Sequence, residues 1–163
     1  MEELKRKAVA EIRSAFSDAE PPSLADMRND HCLECQETVR RFAGKPWSEV
    51  AVQDLIGNPG PGFLTDIGVR YYLPAMMLHS IEAERELDCF PDSVVGLLSP
   101  AGGKPSKRDS ARLSGYSREQ VKAILAFLRY REAREQIERS EPAGRVVTRA
   151  IKYWERQLPG DVE

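Results

Sequence analysis

The sequence predicts an all-α fold, a single-domain bundle of about six to eight helices, some of them short. Three observations predict it. Apolar residues recur at spacings of three and four through most of the chain. Capping residues and Pro/Gly breakers divide those stretches at helix-like intervals. No window shows convincing strand alternation over several consecutive segments, and no internal repeat is visible.

The elements follow in order. Leu4, Ala8, Ile12 and Phe16, widened by Val9 and Ala15, give a first helix over Glu2 to Phe16. Pro21-Pro22 ends it and opens a linker to Asp30. A second helix starts near Asn29-Asp30, either of which can cap it, with Cys32, Cys35, Val39 and Phe42 as its apolar face and Gly44 as its stop. Ser48 then caps a short helix holding Val52, Leu55 and Ile56, and Asn58 to Gly62 is the strongest breaker. Thr65-Asp66 caps the next stretch, in which Pro74 predicts a kink or a break into two helices. The piece from Pro74 to Leu87, with Met77, Leu78 and Ile81, is the central helix. Pro91-Asp92-Ser93 opens a short helix with Val94, Val95, Leu97 and Leu98, closed by Ser99-Pro100. Residues 101–116 read as a long basic loop with Lys104, Lys107, Arg108 and Arg112. Ser117 to Gln120 is a capping box for a helix reaching about Arg139. After Pro142 and Gly144 a last helix buries Val147, Ala150, Ile151, Trp154 and Leu158.

Composition narrows the function. The chain of 163 residues is 41% hydrophobic and 31% charged, long and apolar enough for one domain over residues 1–163 without a metal or disulfide staple. Its 24 Lys+Arg against 26 Asp+Glu leave a net charge of -2, so no global positive field drives nucleic-acid binding, and nucleic acid is not the expected partner. The longest apolar stretch, around Leu73 to Leu78, falls far short of the roughly 18 residues of a membrane span. No signal-peptide core follows Met1 to Lys7, and three cysteines do not suggest a secreted disulfide framework. A cytoplasmic protein with no membrane partner is the expectation.

The most pointed motif is His31-Cys32-Leu33-Glu34-Cys35. Two thiols three residues apart share a helix face, and thiolate with imidazole suits Zn²⁺, which takes four tetrahedral ligands. Only three are local, so Cys89 or His79 would have to be the fourth. The plainer reading makes the cysteines small core residues, with no cofactor bound. A redox pair is expected at a strand-to-helix junction, which the sequence lacks. His31 and His79 are the only imidazole bases, and neither lies in a catalytic motif. Gly57 to Gly62 has no lysine and follows no strand, so it is no phosphate loop. An enzyme is therefore not expected. Trp47, Phe63, Tyr71, Tyr72 and Trp154 are either core or the lining of a ligand pocket.

Three segments carry a resemblance. They are His31 to Glu37 followed by Phe42-Ala43-Gly44-Lys45-Pro46-Trp47, then Arg70-Tyr71-Tyr72-Leu73-Pro74-Ala75-Met76-Met77, then Ala150-Ile151-Lys152-Tyr153-Trp154. In this order they resemble a family of functionally uncharacterised bacterial proteins, a domain of unknown function with Cys-x-Glu-Cys and Tyr-Leu-Pro-Ala elements. The resemblance implies a helical domain and a bacterial origin, and brings no activity with it.

The leading functional expectation is a protein-binding module, by analogy of class with toxin-neutralising immunity proteins. Carboxylates such as Glu82, Glu84 and Glu86 would face a basic partner cleft, with Lys104, Lys107 and Arg108 as a second candidate surface. The alternatives are a metal-binding module on His31, Cys32 and Cys35, and a small-molecule enzyme or carrier using Tyr71, Tyr72 and Trp47. The sequence leaves the oligomeric state open.

Overall fold

A computed structural model describes residues 1–27, 31–57, 60–101, 105–139 and 144–158, with backbone alone at 108 and 139. Among the described residues every regular element is helical. These are α1 (Glu2–Ala15), α2 (Leu24–Met27), α3 (Leu33–Phe42), α4 (Val52–Leu55), α5 (Asp66–Glu82), α6 (Phe90–Leu97), α7 (Lys107–Arg112), α8 (Arg118–Arg139) and α9 (Arg145–Glu155). Short 3-10 turns lie at Trp47–Glu49, Pro61–Phe63 and Glu84–Glu86. Packing divides the chain into two compact units, one of Met1–Ser17 with Leu98–Glu163, the other of Asp18–Leu97.

In the first unit α8 packs against both α1 and α9. The period-four stripe of α1 does what its spacing requires: Ala8, Ile12 and Phe16 are buried, while Leu4 stays exposed. They belong to a core with Ile124, Phe127, Leu128, Val147, Ala150 and Trp154. Ile137, near the end of α8, is exposed.

The stretch 101–116 is not a continuous loop, because α7 forms inside it. Ser106 is the cap: its Oγ accepts from Asp109 N at 3.1 Å, and Asp109 Oδ2 accepts from Ser106 N at 3.0 Å. This reciprocal Ser-x-x-Asp bonding satisfies two orphan donors of a first turn and offsets the glycines and proline nearby. Asp109 also takes a 2.7 Å ion pair from Arg112 and is almost wholly buried.

The second unit is organised by α5, which contacts α2, α6 and all three 3-10 turns. Thr65 caps it, accepting from Gly68 N at 3.1 Å. The expected break at Pro74 is absent; the helix runs unbroken over 17 residues and ends at Glu82 rather than at Leu87. An interior proline forfeits one hydrogen bond and costs about 3 kcal/mol in an isolated helix. Here Leu73, Pro74, Ala75, Met76 and Met77 are all buried, so contacts on every side outweigh that local cost.

Two other boundaries move. The short helix predicted from Ser48 begins at Val52, because Val50 is extended (φ -64°, ψ 120°), and Ala51 N instead donates to Asp54 Oδ2 at 3.0 Å. Ile56 lies outside it and is exposed. The linker to Asp30 contains α2, with Ser23 Oγ accepting from Asp26 N at 3.2 Å. The proposed caps Asn29 and Asp30 lie outside the described residues. The observed cap of α3 is Cys32.

Candidate functional site

The predicted site residues fall into separate environments. Cys32 is the N-cap of α3, half-exposed, and Cys35 is buried one turn in. The apolar face of α3 is therefore Cys35, Thr38 and Phe42 rather than a stripe beginning at Cys32. His31 is exposed. His79 Nε2 lies 2.7 Å from Val50 O, and since a carbonyl only accepts, that nitrogen carries the proton. Cys89 is exposed. Among the described residues no group of three or more His, Cys, Asp or Glu side chains is gathered as a metal centre requires.

The aromatics of the second unit are engaged with its backbone. Tyr72 Oη lies between two carbonyls, Phe42 O at 2.6 Å and Lys45 O at 2.9 Å, and donates its proton between them. Burial, reinforced by Tyr71, pushes its hydroxyl up to about 12. Tyr71 Oη accepts from Trp47 N at 3.3 Å, and Tyr72 packs against both Phe42 and Tyr71 with ring centroids 4.8 Å apart. These rings hold the connection after α3 onto α5.

Glu82 ends α5, while Glu84 and Glu86 lie in the 3-10 turn that follows. They form no single helix face, and they sit where the negative end of the α5 dipole disfavours them. Lys107 is exposed in the first turn of α7; Lys104 and the side chain of Arg108 lie outside the described residues.

The arrangement with the clearest chemical character is on α9, and the candidate residues above do not include it. Its first turn is held by Glu135 of α8, whose Oε2 accepts from Gly144 N at 2.8 Å. Val147, Ala150, Ile151 and Trp154, at i, i+3, i+4 and i+7, turn one face into the core. Trp154 Nε1 donates to Leu98 O at 2.8 Å, and its ring meets Tyr116 and Tyr153 edge-on at 5.3 and 5.4 Å. With that face fixed, Arg145, Arg149, Lys152 and Arg156 follow at i, i+4, i+7 and i+11 along another. Together with Thr148, Tyr153 and Pro100 they wall a groove of about 390 Å³.

Arg149 is half-buried and positioned by Ser99, to whose Oγ its Nε donates at 3.0 Å. Arg145, Lys152 and Arg156 are exposed. Tyr153 Oη reaches Leu113 O at 3.5 Å, the outer limit of a hydrogen bond. Burial, with the Asp109 carboxylate adding to it, pushes the Tyr153 hydroxyl above its ordinary value, so it stays a donor. Among the described residues none of the four cations has a carboxylate in ion-pair range; Glu155, on the same helix, pairs with Arg129 of α8 at 3.2 Å. Such an array can hold an anion by guanidinium and ammonium donors, with two hydroxyls beside them.

Fold and groove define a class, that of all-α proteins presenting a cationic recess on one amphipathic helix. The chain belongs to the family of unknown function DUF6714, whose match spans residues 5–158 and so takes in both units. No curated protein and no solved structure matches it. Among the described residues no helix is long and apolar enough to cross a membrane.

Proposed function

We propose that this protein is a binding module that takes an acidic segment of a partner protein along the cationic face of α9. The observation that carries the reading is the row Arg145, Arg149, Lys152 and Arg156, without carboxylate partners among the described residues. Like charges at i,i+4 destabilise a helix by a few tenths of a kcal/mol per pair, so a bound anion relieves a repulsion that the free chain carries. Eleven residues of helix span roughly 16 Å, a length suited to several carboxylates of an extended segment. Recognition of this kind uses charge to set rate and register more than raw affinity. A nucleic acid would bring a charge about every 1.7 Å to a protein of net charge -2, with Glu155 beside the row.

This reading keeps the expectation of a protein partner and reverses the sign of the contact. A role as a bacterial, cytoplasmic immunity protein is its specific form, with the cations covering an acidic toxin surface.

The test is fluorescence anisotropy with a labelled Asp/Glu-rich peptide, competed by a single-stranded oligonucleotide and by inorganic pyrophosphate. The peptide is expected to bind and to weaken at least about tenfold in Lys152→Glu/Arg156→Glu, with loss at raised salt. Unchanged peptide binding in that variant, or tighter binding of the oligonucleotide than of the peptide, overturns the reading.

A further inference from the structure

The two thiols at the start of α3 are not absorbed by this function, and their geometry is unlike that of two residues on a common stripe. Cys32 has extended backbone (φ -155°, ψ 168°), the conformation of a residue just outside a helix. Its side chain therefore folds back over the first turn instead of projecting from a helical face. There its Sγ accepts from Cys35 N at 3.2 Å and lies 2.7 Å from Cys35 Sγ. A covalent disulfide needs about 2.0 Å, so closing the gap asks for a small side-chain adjustment and no rearrangement of the helix.

The choice of residue at this cap is itself informative. Ser, Thr, Asp and Asn cap well because oxygen is a strong acceptor; sulfur is a weak one. A cysteine there gives up capping strength, which makes sense if the sulfur has other chemistry to do. Accessibility is graded in the useful order as well, with Cys32 half-exposed and Cys35 buried behind it.

We propose that Cys32 and Cys35 are a reversible dithiol–disulfide couple that exchanges with low-molecular-weight disulfides, Cys32 reacting first and Cys35 resolving. The Cys32 thiol loses its proton to solvent, and its sulfur attacks one sulfur of the small disulfide. The S–S bond breaks and one small thiolate leaves with the electron pair. Cys35, deprotonated in turn, attacks the Cys32 sulfur of the mixed disulfide, and the second small thiolate leaves. Two protein thiols are oxidised to one disulfide, one small disulfide is reduced to two thiols, and the two released protons neutralise the two leaving thiolates.

The Cys35 thiol beside it pushes the Cys32 thiol above its ordinary value, against the opposing pull of the Cys35 N–H. The raised value keeps the thiolate fraction of Cys32 small, so the exchange is expected to quicken as pH rises. Cys89, exposed and distant in sequence, has no cysteine close to it in the chain and supplies an internal contrast.

The experiment uses the full chain with Cys89→Ser, reduced and then exposed to glutathione disulfide, quenched with an alkylating reagent and weighed by mass spectrometry. The expected product has lost two hydrogens, carries no glutathione and takes up no alkyl group, and a graded glutathione ratio returns it to the dithiol in one two-electron transition. Adding Cys35→Ser is expected to trap one glutathione on Cys32, whereas adding Cys32→Ser is expected to leave Cys35 unmodified over the same time. A stable glutathione adduct on the protein with both cysteines present overturns the proposal. So does full alkylation at every glutathione ratio, or a stoichiometric transition-metal ion that shields the thiols from alkylation.

Discussion

Helices α5 and α9 use opposite means to be indispensable. The first is covered on nearly every side: from Gly68 to Ile81 only Arg70 and His79 escape burial, and a proline in its middle leaves the helix unbroken. The second is covered on one side only, with Trp154 anchored inside and four cations outside. A helix buried all round is held by its surroundings and presents nothing. A half-covered helix draws its stability from one face and leaves the other free to be selected for contact. On this comparison, changes to α5 should register as stability, whereas changes to α9 should register as stability or as binding according to the face touched.

The largest effect is expected at the covered face of α9. Trp154→Ala removes a fully buried indole and its hydrogen bond to Leu98, and should lower the unfolding free energy by about 3–5 kcal/mol in urea denaturation. A loss below about 1 kcal/mol would mean that α9 is not anchored by that face. Next is Tyr72→Phe, which leaves two carbonyls without their donor and should cost about 1–3 kcal/mol. If the variant is as stable as the parent, α5 holds the end of α3 by packing alone.

A pH series sharpens the α9 side. The Ser106 backbone N–H holds the Asp109 carboxyl below its ordinary value, helped by the Ser106 hydroxyl and the Arg112 guanidinium and opposed by burial. A depressed native value means that its contribution is complete above the ordinary carboxylate range and is lost as pH falls through the native one. Thermal unfolding should therefore show a stability loss on acidification that is smaller in Asp109→Asn, a variant already weakened at neutral pH. Equal acid sensitivity in both proteins would remove Asp109 from the account.

Pro74→Ala should then move stability by less than about 1 kcal/mol. It gains roughly 3 kcal/mol of helix propensity, and forfeits about 1.6 kcal/mol for two buried ring carbons, the β-carbon being kept, plus about 1 kcal/mol for the cavity they leave. A shift above about 2 kcal/mol in either direction would show that one of those effects has been misjudged. Smallest of all is Lys152→Glu, which turns repulsions with Arg149 and Arg156 into attractions. A carboxylate in the last turn of α9 meets the negative end of the helix dipole, which offsets that gain, so stability should stay within about 0.5 kcal/mol of the parent while affinity for the acidic peptide falls. Both quantities falling together would mark a structural role for this face.

Much of this architecture was readable in the residues, and the failures have specific causes. Periodicity identified α1 and α9, where the helix's own pattern and the packing agree, and the capping box from Ser117 to Gln120 identified α8. Of the kink or break expected at Pro74, the break does not occur, because burial on all sides is decided by neighbours remote in sequence, which a local rule does not see. Helix α7 was missed although Ser106-x-x-Asp109 spells its cap, since the glycines and basic residues around it suggested a loop. Cys32 was assigned to a stripe because its spacing from Cys35 fits one, and only backbone angles distinguish a cap from a first turn. The cations of α9 were in plain view at i, i+4, i+7 and i+11. Spacing alone does not mark them as a surface, because the groove beside them is completed by Pro100 and the Ser99 contact, which lie far from α9 in sequence.

The unit holding α9 is assembled from the two ends of the described chain, with α1 packed on α8 and residues 18–97 lying between them in sequence. During synthesis α1 leaves the ribosome roughly 5–20 s before its partner, at the usual rates of elongation. For that interval Ile12 and Phe16 lack the α8 side chains that cover them in the folded unit. A nascent chain arrested before Arg118 should thus expose α1 to protease or chaperone, and release of the full length should withdraw it.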